Sequence, residues 1–235
     1  MTKSGDRNMK GFYAVLALIA VVGVAAIAFL ASGGSSSVVT LDPNLTVGTA
    51  AGYTMGSPDA RIDVYEYGDF ECGACAHFSN MEEPDVRRRL VESGLVRFHF
   101  VDFPLPGHVN SLSAHVAASC ADNQSSFWPM HDRLFAEQDR WNMLATNNPK
   151  KLFKQYAQDI GLDIGQWEKC YDDREPLPRI MANAEQGQAL GVGSTPTFRI
   201  GNKLIAEILS YDKLRGHVES ALADTNQAGS GTAQK

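Results

Sequence analysis

Cys72 and Cys75, separated by two residues, form the pair with the clearest capacity for chemistry in this sequence. An alternating pattern typical of a buried strand precedes them, and Phe78 and Met81 follow at the spacing of an amphipathic helix. The cysteines are therefore predicted to open a helix, whose free N–H groups and dipole stabilise an anion. Cys72 is expected to be the exposed thiolate and Cys75 its buried partner, as in thiol–disulfide exchange.

Other uses of a Cys-x-x-Cys pair fit the neighbouring residues less well. Ala76 follows the pair at the position where haem attachment needs a histidine. His77 cannot readily complete a zinc site with two thiolates, and no second pair of cysteines has the spacing of metal ligands. A structural disulfide remains the simplest alternative. We favour redox chemistry, for which neither a metal nor an organic cofactor is needed.

Glu66 places a carboxylate in an apolar row, because Ile62, Val64 and Glu66 share one face of the predicted strand. Burial raises the pKa of a carboxyl group, so Glu66 is a candidate for moving the proton of Cys75. The alternative is that Glu66 is the satisfied partner of a nearby cation.

Cys120 and Cys170 lie in two predicted helices. In an oxidising compartment two such cysteines usually bond, and the closed loop of about 50 residues would gain stability from the bond. A structural disulfide is therefore predicted. A second electron-relay pair and two unpaired thiols remain as alternatives.

The ends of the chain differ in composition from its middle. Residues 11–31 are uncharged and nearly all apolar, which predicts a transmembrane anchor. Residues 1–10 are then expected to be cytoplasmic and the rest of the chain to lie outside. A cleaved signal peptide is the alternative. Residues 32–60 are predicted to be a flexible linker and residues 224–235 a disordered tail. The net charge of −6 over 235 residues argues against nucleic acid as a partner.

The remaining residues, 61–223, are predicted to form one α/β domain. A parallel strand–helix–strand unit comes first, a helical insert at 110–191 follows, and a hairpin and a final helix ending near Leu222 close the domain. The insert helices are predicted at 111–122, 126–140, 149–160, 164–172 and 176–190. The result is a mixed four-stranded sheet flanked by helices, with an inserted all-helical subdomain.

Residues 56–223 resemble the DsbA-like branch of the thioredoxin superfamily. The resemblance is carried by the segments Gly56-Ser57-Pro58-Asp59-Ala60, Asp69-Phe70-Glu71-Cys72-Gly73-Ala74-Cys75 and Gly191-Val192-Gly193-Ser194-Thr195-Pro196-Thr197-Phe198, and by the helical insert between them. A Cys-x-x-Cys pair is a weak signal alone. It becomes a strong one after a strand and with a Thr-Pro pair at a returning strand about 120 residues later.

The resemblance implies the thioredoxin fold and roles for five residues. Cys72 matches the nucleophile and Cys75 the resolving cysteine. Pro196 matches a cis-proline that faces the dithiol, and Thr195 offers backbone groups to a substrate chain. Glu66 lies where relatives carry a buried acid.

The sequence departs from the family pattern between the two cysteines. Strongly oxidising members usually have a Pro-His pair there, where this chain has Gly73 and Ala74. No cation is therefore added beside Cys72, and Glu71 brings an opposing negative charge. An oxidant of intermediate strength is expected.

The resemblance also implies an activity and partners. The expected protein is a membrane-anchored extracytoplasmic enzyme that introduces disulfides into reduced exported proteins. A quinone-linked membrane enzyme of the DsbB or vitamin K epoxide reductase kind would reoxidise it. Two alternatives remain: a disulfide reductase or isomerase on the same scaffold, and a non-catalytic tethered chaperone or binding protein.

Overall fold

The protein is described here by a computed structural model that covers residues 12, 13, 15, 16, 19, 38–42 and 52–231. The chain divides into two units, residues 1–36 and residues 37–235. In the first unit the described residues are helical. The second unit contains the predicted α/β domain.

The prediction of a transmembrane anchor over residues 11–31 has to be corrected. A membrane-spanning helix needs about 20 consecutive apolar residues. Within the described ranges, no helix is both long and apolar enough to cross a membrane. The predicted localisation, a single-pass protein of the cell membrane with an extracytoplasmic catalytic domain, depended on that anchor and is withdrawn with it. Most of residues 11–31, and all of residues 1–10, lie outside the described residues.

The described strands form one six-stranded mixed sheet with the order β1-β6-β5-β3-β4-β2. The strands are β1 Val38–Thr40, β2 Tyr53–Met55, β3 Ile62–Gly68, β4 Val96–Asp102, β5 Thr197–Ile200 and β6 Lys203–Ile205. β3 and β4 are parallel, and the other neighbours are antiparallel. The predicted α/β class and the four inner strands are confirmed. β1 and β2 are additional edge strands within the predicted linker 32–60.

The helices of the second unit surround this sheet and form the insert. They are α1 Gly73–His77, α2 Glu83–Val86, α3 Ser111–Asp122, α4 Phe127–Ala136, α5 Gln138–Trp141, α6 Lys150–Asp159, α7 Ile164–Asp173, α8 Leu177–Ala189 and α9 Tyr211–Gly231, with π-helical turns at Phe78–Glu82 and Arg87–Val91. α9 continues past the predicted end at Leu222, and the Thr225 hydroxyl donates to the Leu222 carbonyl within it.

The helical crossover between β3 and β4 is irregular where the sequence predicted a kink. Pro84 lacks an N–H group, so it cannot make the hydrogen bond of a regular turn, and a π-helical turn lies directly before it. Phe78 is fully buried, whereas Met81 is 66% exposed although both were expected on the apolar face. The wider π turn changes the angular spacing between these two residues.

Aromatic side chains fill the insert and the region between the insert and the sheet. Phe70 lies at the centre, with Phe100 of β4 at 5.0 Å and Phe135 of α4 at 4.9 Å between ring centroids. Away from this contact, Cys120 of α3 and Cys170 of α7 are joined in a disulfide bond. The insert therefore shares one apolar core with Phe70 and with Phe100 of β4.

Candidate active site

The turn between β3 and α1 is held by the buried carboxylate of Asp69. Its Oδ1 accepts hydrogen bonds from the Glu71 N–H at 2.9 Å and the Ser111 hydroxyl at 2.6 Å. Its Oδ2 accepts from the Leu105 N–H at 2.9 Å and lies 2.6 Å from His108 Nδ1. These contacts fix the backbone that leads into α1.

Cys72 is the N-cap residue of α1 and Cys75 lies in its first turn, as the helix prediction required. Both are free thiols. Cys72 is 9% exposed, which is less than the sequence suggested, and Cys75 is fully buried. Cys72 is therefore the more exposed of the two thiols, as predicted, although less of its surface reaches solvent than expected.

The environment of Cys72 favours its thiolate. A hydrogen bond from the Cys75 thiol is the main reason that the pKa of Cys72 is lowered to about 5, with burial acting against it. Thr195 and the backbone N–H groups of Ala74 and Cys75 lower the pKa further. The open end of the helix thus supplies the donors that an anion needs.

Cys75 has the opposite character. Burial raises its pKa well above the ordinary value, and its hydrogen bond to Cys72 and the negative charge of Glu66 act in the same direction. One thiol is therefore held as an anion and its neighbour as a protonated donor. This asymmetry suits a pair in which one sulfur meets the substrate and the other closes the disulfide.

Thr195 lies beside Cys72, although the two are far apart in the chain, and Pro196 follows Thr195 directly. The Thr195–Pro196 peptide bond is cis. When it is protonated, the Cys72 thiol donates to the Thr195 carbonyl oxygen, with 3.3 Å between the sulfur and the oxygen. The structure therefore brings together residues that are 123 positions apart in sequence.

Glu66 is fully buried, and neither of its carboxylate oxygens has a hydrogen-bond partner among the described residues. Burial raises the pKa of Glu66 well above the ordinary value, and the negative charges of Glu83 and Cys72 raise it further. Arg87 acts in the opposite direction but makes no hydrogen bond to Glu66. The interpretation of Glu66 as a satisfied partner of a cation therefore does not fit.

Glu71 differs from its expected role beside Cys72. Its carboxylate accepts hydrogen bonds from the Asn110 N–H at 2.7 Å and from the Met143 N–H. The side chain is directed into the insert, where it satisfies two backbone donors. The prediction that Glu71 opposes the negative charge of Cys72 rested on their adjacency in the sequence and therefore overstated the effect.

Several residues of the site carried no signal in the sequence. Gln138 of α5 donates its amide to the carbonyl oxygens of Phe70 at 2.7 Å and Cys72 at 3.0 Å. Glu83 lies on α2 and His131 on α4, and both are fully buried. No motif or spacing marked these residues, because the contacts that bring them to the site join separate elements.

The mixed sheet, the helical insert and the Cys72–Cys75 pair at the start of α1 match the fold expected from the resemblance seen in the sequence. The thioredoxin family model matches residues 49–220, and the chain belongs to that family.

Curated relatives fall into two groups. Disulfide bond formation protein D of Bacillus subtilis is 24% identical over 170 residues, which cover 72% of this chain and 76% of that protein. The Na(+)/H(+) antiporter NhaA 3 of Salinispora tropica is 32% identical over 172 residues, or 73% of this chain. The match spans 25% of the length of that antiporter.

Solved structures support the same fold. Oxidised BdbD from Bacillus subtilis aligns with a TM-score of 0.65 and 23% identity, covering 73% of this chain and 93% of that one. Wolbachia pipientis alpha-DsbA1 aligns with a TM-score of 0.67 and 19% identity, covering 76% of this chain and 94% of that one.

Proposed function

We propose that the chain introduces disulfide bonds into reduced substrate proteins through the Cys72–Cys75 pair. The observation that carries this proposal is the opposite behaviour of two neighbouring thiols. The pKa of Cys72 is lowered to about 5, while burial raises that of Cys75. A stabilised Cys72 thiolate favours the reduced enzyme, so its disulfide is the higher-energy state and tends to oxidise other thiols.

The reaction begins with the oxidised enzyme. A substrate thiolate attacks Cys72 Sγ, a mixed disulfide forms, and the electron pair of the broken Cys72–Cys75 bond goes to Cys75 Sγ. The second substrate thiolate then attacks the substrate sulfur of the mixed disulfide. Cys72 leaves as a thiolate, the substrate gains a disulfide, and the enzyme is left reduced.

Three further residues assist this exchange. Glu66 gives a proton to the Cys75 thiolate when the bond opens and takes it back when the bond closes, because a raised pKa makes a carboxyl group an effective donor. Thr195 offers its backbone to the substrate chain beside Cys72. Pro196 holds this loop against the dithiol.

The partners follow from the resemblance to DsbA-like proteins and from the name of the Bacillus relatives, disulfide bond formation protein D. The substrates are reduced exported proteins. A quinone-linked membrane enzyme of the DsbB or vitamin K epoxide reductase kind accepts the electrons of the Cys72–Cys75 dithiol and regenerates its disulfide.

The deciding experiment incubates the oxidised protein with a reduced, unfolded protein that needs disulfides for activity. Gain of substrate activity, with equal loss of the Cys72–Cys75 disulfide, supports the proposal. Activity that appears only with a scrambled, already oxidised substrate would replace it with the isomerase alternative.

A trapping experiment separates the roles of the two cysteines. Cys75→Ala should accumulate mixed disulfides with substrate proteins, because the resolving thiol is absent. Cys72→Ala should accumulate none, because the thiol that meets the substrate is absent. Equal trapping by both variants would contradict the assigned roles.

A further inference from the structure

A group of buried polar atoms lies near Glu66. Phe100, the β4 partner of Glu66, has its ring centroid 5.1 Å from that of His131. Oε1 of Glu83 accepts hydrogen bonds from Arg87 Nε at 2.9 Å and from an Arg87 terminal nitrogen at 2.7 Å. Its Oε2 has no hydrogen-bond partner among the described residues. His131 Nε2, likewise without a hydrogen-bond partner there, lies 3.9 Å from that oxygen.

The group continues to the surface through the other ring nitrogen of His131. His131 Nδ1 lies 2.9 Å from Oδ1 of Asp132, whose side chain is 51% exposed. Asp132 and Arg87 line an open groove of about 620 Å³. An imidazole can accept a proton at one ring nitrogen and release one from the other, so His131 is suited to join the buried carboxylate to the exposed one.

Arg87 fixes the geometry of the group without carrying protons. It donates two hydrogen bonds to Glu83 and two to Asp132, the latter at 2.9 and 2.6 Å. A guanidinium stays protonated in proteins, so it orients both carboxylates and takes no part in transfer. Because both Arg87 bonds to Glu83 end on Oε1, the second oxygen remains available.

A purely structural role does not account for these atoms. A buried polar group without a hydrogen bond destabilises the folded state, and native proteins keep few of them. Here both oxygens of Glu66, one oxygen of Glu83 and one nitrogen of His131 are in that state among the described residues. The negative charge of Glu83 also raises the pKa of Glu66.

We propose that Glu83, His131 and Asp132 form a proton path between Glu66 and the solvent in the Arg87–Asp132 groove. The inference rests on the proposed function of Cys72 and Cys75. The three residues act through Glu66 and are positioning residues for its proton. Transfer along the path requires the unpartnered atoms of Glu83 and His131, 3.9 Å apart, to approach to hydrogen-bond distance, about 3 Å.

The path supplies or removes one proton in each exchange step. When substrate attack breaks the Cys72–Cys75 bond, the Glu66 proton passes to the Cys75 thiolate. Glu83, a carboxylate at rest, takes a proton from His131 and passes it to Glu66, and His131 takes one from solvent at Asp132. When Cys75 attacks a mixed disulfide, its proton leaves along the same path in the opposite direction.

The test uses the reduced full chain and a symmetric aromatic disulfide whose released thiolate is coloured. Attack by Cys72 releases the first coloured thiolate, and attack by Cys75 on the resulting mixed disulfide releases the second. The two phases are followed by stopped flow in water and in deuterium oxide. The first phase reports the thiolate of Cys72, and the second reports removal of the Cys75 proton.

Glu83→Gln, His131→Gln and Asp132→Asn should each slow the second phase, by about tenfold or more for Glu83→Gln, and leave the first unchanged. The solvent isotope effect should be larger on the second phase than on the first. The Glu83→Gln/His131→Gln double variant should be no slower than the slower single variant, because both changes interrupt one path. Asp85→Asn is the matched control, since it removes a carboxylate of the same helix that binds the exposed Arg88.

Equal slowing of both phases would indicate a structural role and overturn the path, as would wild-type second phases in Glu83→Gln and Asp132→Asn. If Glu83→Gln does not fold, Asp132→Asn decides the question, because its half-exposed side chain can be changed with little loss of packing. Absence of two-phase release in the wild type would instead contradict the proposed function of the cysteines.

Discussion

Gln138, at the start of α5, binds the carbonyl oxygen of Cys72 through its side-chain amide at 3.0 Å. The same amide donates to the Phe70 carbonyl at 2.7 Å. A single side chain of the helical insert therefore satisfies two backbone acceptors of the active-site turn. The insert is thus part of what holds Cys72 at the open end of its helix.

Gln138→Ala should lower the free energy of unfolding by about 2 kcal/mol, because two part-buried carbonyl groups lose their donor. Chemical denaturation of the reduced protein measures this change. Gln155→Ala is the control, since Gln155 also donates its amide, at 2.8 Å, but to the exposed Asp159. A loss no larger than that of the control would contradict this role for Gln138.

The reactivity of Cys72 should depend on pH with a midpoint near 5, the value to which its pKa is lowered. Alkylation rates with a neutral reagent, followed from acidic to neutral pH, measure this midpoint. Cys75→Ala should raise it, because the hydrogen bond from Cys75 is the main stabilising contact of the thiolate. An unchanged midpoint in that variant would assign the effect to the helix end and Thr195.

The same shift predicts how stability depends on pH in the reduced protein. A thiol whose pKa falls on folding stabilises the folded state in full above its unfolded pKa, and the contribution is lost as the pH falls through the folded pKa. As the pH is lowered from about 8 to about 5, the melting temperature of the reduced form should therefore decrease relative to that of the oxidised form. The raised pKa of Cys75 keeps it protonated in this window, so the difference reports Cys72 together with Glu66, whose pKa the Cys72 thiolate raises.

Replacing Cys120 and Cys170 together with Ala should lower stability and leave the chemistry of Cys72 largely intact. The bond closes a loop with a sequence separation of 50 residues. The chain-entropy estimate for such a loop is about 4 kcal/mol, an upper figure for what thermal unfolding should show. Equal melting temperatures of the variant and the wild type would contradict a stabilising role.

The Cys72–Cys75 pair should have a reduction potential roughly between −120 mV and −270 mV, the values of a strong oxidant and a reductant. Ala74→His should make it more oxidising by adding a donor beside the Cys72 thiolate, and Ala74→Gln controls for the size of the side chain. Equilibration with glutathione buffers measures the potential. A value at the reductant end, with the oxidised form melting higher, would favour the reductase alternative.

The inner fold could be predicted because its elements have strong local patterns. The alternation before and after the first helix matches β3 and β4, and the predicted helix 111–122 coincides with α3. β1 and β2 were missed because each has three residues, too few for an alternating pattern to stand out. Their pairing depends on partners distant in sequence, which local patterns do not reveal.

The candidate site likewise contains residues that local sequence patterns predict and residues that they do not. Cys72, Cys75 and Glu66 are predictable because a helix start and a strand face position them locally. Glu83 and His131 come to the site from α2 and α4, and only tertiary packing brings them together. Local patterns also do not reveal which way a side chain points. Glu71 is an example, because its carboxylate points into the insert.

The two short strands at the ends of the sheet also bear on how this domain avoids self-association. β1 pairs with β6 at one edge, and β2 pairs with β4 at the other. Without them, the backbone groups of β6 and β4 would be open templates for strands of other molecules. β1 and β2 form the edges in their place, and edge strands of three residues limit edge-to-edge pairing. A shortened chain that begins after β2 would instead expose the seven residues of β4 at one edge.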